Sequence, residues 1–227
     1  MTELLFRDDP TLDHCEATVI EVTSAGVVLD RTVFYPAGGG QPGDTGTLDQ
    51  AIVHDTVKGE GDTVLHLCEG ELPVVGETVT ASLDWERRRA HMRMHTALHL
   101  LSVAIPLPVT GGAIGAEKSR LDFDMPEALE DREAIERALN AMIEADHRVT
   151  EEWITDADLD ANPALVKTMS VQPPRGQGRV RLVRIGEIDL QPCGGTHVAS
   201  TGEIGPVRLG KIEKKGKRNR RVSIHFA

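Results

Sequence analysis

The chain has 227 residues, of which 40% are hydrophobic and 27% are charged, and its formal net charge is −11. No apolar run approaches the ~18 residues of a membrane span, and the N-terminus lacks the apolar region of a signal peptide. Three cysteines at irregular spacing argue against a disulfide framework. We therefore expect a globular, cytoplasmic protein that has no membrane partner and no obligate protein partner.

The first part of the chain has the pattern of β-structure. Short runs rich in β-branched residues are separated by glycine-containing turns, at 16–22, 26–34, 51–57, 62–68 and 76–84. The segment 34–46 between them is too rich in glycine and proline for a regular element. We predict a small β-barrel domain over residues 1–84 that carries this glycine-rich loop.

At Asp84 the spacing of apolar residues changes from that of strands to that of a helix. Asp84 can cap a helix over 85–105, which ends before Pro106 and Pro108. A second helix is predicted over 126–149. Its apolar face would comprise Leu129, Ile135, Leu139, Met142 and Ile143. Strand candidates surround the helices without a regular alternation, which predicts an α+β domain over 85–227.

Two histidines of the first helix and a short C-terminal motif form a candidate metal site. His95 and His99 are four residues apart, so both imidazoles leave one helix face. Cys193 and His197 flank the bend Gly194-Gly195-Thr196. Three imidazoles and one thiolate are a ligand set suited to zinc, and we predict one zinc ion per chain.

The residues near this set exclude two familiar kinds of zinc enzyme. Thr96 stands where a metalloprotease of the HExxH type needs a glutamate. A nucleobase deaminase needs a second cysteine after Cys193 and a glutamate beside its histidine ligand, and both are missing. Four protein ligands could close the site, whereas a catalytic zinc usually keeps one position open. The sequence leaves this alternative unresolved.

A basic segment near the C-terminus departs from the acidic character of the chain. Residues 211–221 carry a local charge of +6, so the rest of the chain carries −17. The basic residues are Lys211, Lys214, Lys215, Lys217, Arg218, Arg220 and Arg221. The segment fits either a surface that meets a polyanion or a lysine-rich hairpin edge that discourages aggregation.

Three motifs together resemble a known family. HTALHLL at 95–101, PCGGTHV at 192–198 and the glycine-rich loop at 34–46 are similar to the editing domain of alanyl-tRNA synthetase. They are most similar to its free-standing relatives, the AlaX trans-editing proteins. The resemblance covers nearly the whole chain, and the length resembles the medium-sized form of that family.

The resemblance implies an enzyme that deacylates alanine tRNA mischarged with serine or, in some members, glycine, and that spares the correct alanine ester. It implies zinc at the four residues named above and an editing pocket near Gly38, Gly39, Gly40 and Gln41. Candidate partners for the serine hydroxyl are Thr96, Thr196 and Gln41, although each threonine could instead bond its own backbone. No catalytic residue is predicted beyond the metal site.

The resemblance also implies a role for the basic residues of 211–221, which would bind the tRNA backbone. The arginines of the first helix either extend that surface or lie on a solvated helix face. They are Arg87, Arg88, Arg89 and Arg93.

Two other functions are compatible with the same residues. A threonyl-tRNA editing hydrolase shares the two-part zinc motif, although the glycines of CGGTH and of the 34–46 loop favour the alanine system. A zinc-stabilised RNA-binding module without catalysis would also explain the ligands and the basic segment. It would bind tRNA and deacylate none.

Overall fold

The computed structural model describes residues 1–127, 131–167 and 178–227. Helices and strands are both present, and six of the strands close into a barrel. This confirms the prediction of an α+β protein that contains a small β-barrel. The chain divides into two units, Met1–Ala90 and His91–Ala227, while the predicted boundary after Asp84 stays a prediction. Within the described residues, no helix has the length and apolar character that crossing a membrane would need.

The first unit contains the closed barrel. Its elements are, in chain order, β1 (Glu3–Leu4), α1 (Leu5–Asp8), β2 (His14–Val22), β3 (Val27–Leu29), β4 (Arg31–Thr32), β5 (Gly46–Leu48), β6 (Ala51–Lys58), β7 (Val64–Glu69) and β8 (Thr78–Leu83). The order around the barrel is β2, β3, β7, β6, β5, β8, and β8 pairs with β2 to close it. Closure removes the free sheet edges, which protects these strands from pairing with other chains.

The barrel core follows from alternation along its strands. On β6, Ala51 and Val53 are buried while Ile52 and His54 are exposed, because successive side chains point to opposite faces. Through this alternation, small and branched apolar side chains fill the barrel interior, together with Phe34. The buried cluster comprises Ala17, Val19, Val27, Leu29, Val33, Phe34, Leu48, Ala51, Val53, Val79 and Ala81.

The first unit also buries an arginine. Arg88 is 0% exposed and forms an ion pair with Asp44, which is itself buried. Its guanidinium also donates to the carbonyl oxygens of Val33 (2.7 Å) and Pro10 (3.0 Å). The prediction that Arg88 lies at a tRNA surface or on a solvated helix face is therefore wrong. Asp44 lies 44 positions before Arg88, so no local pattern in the sequence identifies it as the partner of this arginine.

The second unit contains the remaining helices and two antiparallel sheets. The long helix α2 (Trp85–Ala104) begins in the first unit and continues into the second. After it come β9 (Val109–Ala113), β10 (Lys118–Asp124), α3 (Arg132–Glu144), β11 (Val149–Ile154), α4 (Asp156–Ala161), β12 (Val180–Ile185), β13 (Asp189–Pro192), β14 (Val207–Lys214) and β15 (Asn219–Phe226), with short 3-10 helices at Pro163–Leu165 and Thr201–Ile204. One sheet has the order β14, β15, β10, β9 and the other the order β11, β12, β13.

Helix α2 lies where the sequence predicts it. The carboxylate of Asp84 accepts a hydrogen bond from the backbone N–H of Arg87 at 3.2 Å, as expected of a capping residue. The apolar face of the helix is buried at Met94, Leu98 and Leu101. A regular helix through this stretch places the two histidines of the candidate metal site one turn apart.

Helix α3 is shorter than the predicted helix over 126–149. Asp131 caps it, since its side chain accepts a hydrogen bond from the backbone N–H of Ala134 at 2.7 Å. The helix ends at Glu144, and Asp146 adopts a left-handed conformation with φ of 50°. The carboxylate of Asp146 accepts a hydrogen bond from Gly202 N–H, a contact remote in sequence. Leu129, predicted on the apolar face, lies outside the described residues.

Candidate metal centre

Two histidines of α2 and two residues that follow β13 come together in the second unit. His95 and His99 project from one face of α2, since they are one turn apart. Cys193 directly follows β13, and the Gly194–Thr196 bend returns the chain so that His197 faces Cys193. The candidate ligand atoms of these four residues all lie within 4.8 Å of one another.

The four side chains are closely packed and mostly buried. The Sγ atom of Cys193 is 3.4 Å from Nε2 of His95 and 3.2 Å from Nε2 of His197. The three imidazole rings have centroid separations of 4.2, 4.7 and 5.4 Å. The histidines are only 5 to 7% exposed. Three nitrogens and one sulfur therefore surround a single point.

A buried carboxylate orients His99. Asp189, on β13, accepts a hydrogen bond from Nδ1 of His99 at 3.1 Å, and it also accepts from Gln191 and from Lys167. Burial opposes ionisation of Asp189, but these partners lower the pKa of its carboxyl group to about 2. Because Nδ1 of His99 donates to this carboxylate, Nε2 is the nitrogen of that ring that is left to face a metal ion.

The same contacts affect the charge of His99. Burial disfavours the imidazolium, yet the hydrogen bonds to Asp189 and Cys193 raise the pKa of His99 to about 9. A cation that binds at Nε2 would displace the proton from that atom, so metal binding at this site would release a proton.

Thr96 orients His197 in a similar way. Its hydroxyl donates to the carbonyl oxygen of Met92 at 3.0 Å, and its oxygen lies 3.1 Å from Nδ1 of His197. Since the hydroxyl proton is used for Met92, the threonine oxygen accepts from His197 Nδ1–H. The backbone N–H of Val198 donates to the same oxygen at 3.3 Å. These contacts direct Nε2 of His197 toward Cys193.

The surroundings favour a thiolate at Cys193. Burial alone would raise the pKa of this thiol, but His95 and His197 hold that pKa well below its usual range. Burial and the neighbouring His95 in turn hold the pKa of His197 well below its usual range, which disfavours its imidazolium form. The backbone N–H of Gly195 donates to the cysteine sulfur at 3.5 Å. Thiolate and neutral imidazole are the forms that bind metals.

These residues fit one metal ion. Four donors of the right chemistry converge, and the orientations of two imidazoles are set by hydrogen bonds on the far side of each ring. His91, one turn before His95, is buried but does not belong to the group of four found among the described residues.

Comparisons with known proteins identify the family. A family model described as "Threonyl and Alanyl tRNA synthetase second additional domain" matches residues 180–223, and a model described as "tRNA synthetases class II (A)" matches residues 9–87. An alanyl-tRNA editing protein AlaX-M from Methanosarcina acetivorans is 36% identical over 98% of this chain and 98% of its own. The chain belongs to the AlaX-M family of alanyl-tRNA editing proteins.

Further relatives agree with this assignment. The AlaX-M protein of Methanosarcina mazei is 37% identical over 98% of this chain and 95% of its own. An alanyl-tRNA editing protein AlaX-L from Pyrococcus horikoshii is 35% identical over 99% of this chain but only 58% of its own length. The resemblance derived from the three motifs is thereby confirmed.

The predicted glycine-rich site of this AlaX-M chain forms a tight turn in the first unit. Gly38 and Gln41 exchange two backbone hydrogen bonds of 3.0 Å each. Between them, Gly39 and Gly40 have φ of 60° and 86°, in the left-handed region. A Cβ atom at Gly39 would meet nothing within 4 Å, so backbone conformation rather than space requires glycine there. The tip is exposed and Gln41 is buried. A role in substrate binding stays a prediction.

The predicted substrate threonines are both buried, and each lies next to a candidate metal ligand in the sequence. Thr96 is 0% exposed and Thr196 is 1% exposed. For Thr96, a contact with its own helix backbone and a contact with His197 are both present. Whether either threonine contacts a substrate stays a prediction.

The basic segment of this AlaX-M chain is a hairpin, formed by β14 and β15, and β14 is an edge strand. Several of its cations have partners within the protein. Arg218 pairs with Asp124, Arg221 pairs with Asp122, and Lys215 pairs with Glu213. The guanidinium of Arg220 donates to the carbonyl oxygens of Pro126 and Glu127. Contact with tRNA stays a prediction for all seven residues.

Residues that hold the ligands in place were missed by sequence reasoning. Asp189 lies four positions before Cys193, just before the PCGGTHV motif, and a carboxylate so close to a candidate ligand was an available signal. Lys167 and Arg181 offered none, because their partners lie 22 positions away for Lys167 and 12 and 14 positions away for Arg181, outside any local motif.

Proposed function

We propose that this AlaX-M chain hydrolyses the ester bond between alanine tRNA and a wrongly attached serine, with glycine as a second candidate amino acid, and that it spares the alanine ester. The observation that carries the proposal is the convergence of His95, His99, Cys193 and His197 in a chain related to alanyl-tRNA editing proteins along its whole length. The cytoplasm, where tRNA is charged, is the proposed location.

The proposed metal is zinc, one ion per chain. Three imidazoles and a thiolate suit zinc better than magnesium or calcium, which prefer oxygen ligands. Bound there, zinc would supply Lewis-acid chemistry for ester hydrolysis. The chain's own contribution is to keep the ligands fixed, through Asp189 behind His99 and Thr96 behind His197.

There is a physical reason why discrimination between serine and alanine needs a second site, separate from the synthesis pocket. Serine and alanine differ by one hydroxyl, and an apolar synthesis pocket cannot strongly reject an isostere that adds one. An editing pocket whose polar groups need that hydroxyl would leave them unpaired with alanine, which costs about 1–3 kcal/mol per buried group. The contacts of Thr96 favour a positioning role for that residue. Thr196 and Gln41 stay candidates for contacting the hydroxyl.

The proposal is tested by measuring deacylation of alanine tRNA charged with serine, glycine or alanine by the purified protein. We expect rapid loss of the serine or glycine ester and survival of the alanine ester. Threonine tRNA mischarged with serine is the control for a threonyl-type editing enzyme. Survival of every ester alongside retained tRNA binding would instead indicate an RNA-binding module without catalysis.

A second experiment addresses tRNA binding by the hairpin. Lys211, Lys214 and Lys217 are better targets than the arginines, since Arg218 and Arg221 also pair with Asp122 and Asp124 of β10. Replacing the three lysines with glutamine is expected to weaken tRNA binding and to reduce the slope of log K against log salt. The reduction should be about 1 for each phosphate that the variant no longer neutralises.

The control for the lysine experiment is Arg31→Gln, which removes an exposed cation on β4, outside the hairpin. It should leave the salt slope unchanged. If the triple variant and the control have the same slope, the hairpin does not contact tRNA phosphates, and its lysines protect the edge strand β14.

A further inference from the structure

A mostly buried arginine contacts the bend that carries two of the four candidate ligands. Arg181 lies on β12, and only 10% of its side chain is exposed. Its Nη1 atom donates to the carbonyl oxygens of Cys193 at 2.8 Å and Gly195 at 2.9 Å. Its Nη2 atom forms an ion pair with Glu151 on the neighbouring strand β11. One guanidinium therefore joins two strands to the bend.

The backbone of the same arginine is also engaged. The N–H of Cys193 donates to the carbonyl oxygen of Arg181 at 3.1 Å. Arg181 therefore contacts Cys193 through both its main chain and its side chain. Arg181 holds the chain at Cys193, the candidate ligand that precedes the bend, and again at Gly195, two residues later.

The bend needs such a restraint because of its composition. Gly194 and Gly195 have more backbone freedom than any other residue type, so an unrestrained Cys-Gly-Gly-Thr-His segment would sample many shapes. With the carbonyl oxygens of Cys193 and Gly195 both held by the guanidinium, these two peptide groups have fixed orientations. The N–H of Gly195, which belongs to the peptide group between these two, donates to the sulfur of Cys193.

We propose that Arg181 is a positioning residue, which holds the bend in the shape that presents Cys193 Sγ and His197 Nε2 to a single metal ion. The proposal rests on the metal site of the proposed function. It extends that site to a residue that acts through the backbone carbonyl groups of Cys193 and Gly195.

An arginine can do this and a lysine cannot. The guanidinium has separate N–H donors in a rigid plane, so one nitrogen serves two carbonyl oxygens while the other pairs with Glu151. A lysine ammonium is a single point on a flexible stem and cannot occupy both positions. Arg181→Lys is therefore an informative conservative variant, because it keeps the charge and loses the geometry.

The test compares Arg181→Met and Arg181→Lys with a matched control on the same strand. Arg184 also lies on β12 and forms a similar cross-strand ion pair, with Glu152, but no contact with the bend is found for it among the described residues. Arg184→Met and Arg184→Lys thus remove an equivalent ion pair and leave the bend intact.

Metal affinity and coordination are the readouts. Zinc affinity is measured by competition with a chelator, and the thiolate-to-metal absorption band is recorded with cobalt in place of zinc. We expect zinc affinity to fall about 10- to 100-fold in both Arg181 variants, the range seen when groups that orient metal ligands are removed. The cobalt thiolate band should weaken or shift in these variants. Both Arg184 variants should match the wild type.

Unchanged zinc affinity and an unchanged cobalt spectrum in either folded Arg181 variant would overturn the proposal. If Arg181→Met does not fold, Arg181→Lys alone decides, since it retains a cation opposite Glu151. Equal loss of affinity in the Arg184 variants would also overturn it, because the effect would then come from general weakening of the sheet. A wild-type protein that binds zinc but deacylates no tRNA would refute the proposed function and leave this test valid.

Discussion

Replacing Cys193 with alanine is expected to abolish metal retention and ester hydrolysis together. The change removes one of four converging donors, and that donor is the thiolate. The three imidazoles that remain carry no negative charge, so they compensate the charge of a divalent metal poorly. The zinc content per chain of the purified variant should fall from one to near zero. Deacylation of the serine ester should fall to the background rate of the tRNA alone.

The matched control is Cys15→Ala. Cys15 is a half-buried cysteine on β2, in the first unit, outside the group of four. Its loss should change neither the zinc content nor the deacylation rate. Full hydrolysis of the serine ester by a metal-free Cys193→Ala protein would show that the metal is dispensable, and the zinc assignment would then be wrong.

Replacing Arg88 with methionine is expected to lower the free energy of unfolding by about 3–5 kcal/mol, the cost of breaking a buried ion pair on one side. The substitution leaves the Asp44 carboxylate buried without its ion-pair partner, and it also removes the donors to the carbonyl oxygens of Val33 and Pro10. The measurement is a urea unfolding curve of the variant and the wild type, with the slope of each transition checked for a change in the unfolded state.

Two further variants test whether the loss of stability comes from the buried ion pair. Arg89→Met changes the exposed neighbour on the same helix, and it should shift stability by no more than about 0.5 kcal/mol. The double variant Arg88→Met with Asp44→Asn should lose less than the sum of the two single losses, because no charge is then left buried. A cost for Arg88→Met similar to that of Arg89→Met would contradict the importance of the ion pair.

The local pattern of the sequence predicts much of the fold. Alternation along β6 places Ala51 and Val53 inside the barrel, and helical spacing places Leu98 and Leu101 inside the second unit. Strands without such alternation were missed. β9 contains two glycines and β13 ends in a proline, so neither has the composition of a strand.

The candidate ligands could be selected from the sequence because short-range geometry relates them in pairs. The spacing of His95 and His99 is one helical turn, and Cys193 and His197 flank a glycine bend. The ligand chemistry and the family resemblance predicted that these two pairs come together at one metal site. The structure places their donor atoms within 4.8 Å of one another, and their role as metal ligands remains a proposal.

The sequence by itself determined the class of fold, the four converging residues and the family, since each depends on spacing along the chain or on similarity of motifs. Only the tertiary structure decided which polar groups hold those residues in place. Asp189 and Thr96 contact candidate ligands that lie 90 and 101 positions away in the sequence. Arg181 contacts the residues of the bend from strand β12. The tertiary structure also decided the burial of Arg88, which pairs with Asp44 and the carbonyl oxygen of Val33. A guanidinium enters a protein core only where a carboxylate and carbonyl oxygens converge, and no local pattern of the sequence encodes that convergence.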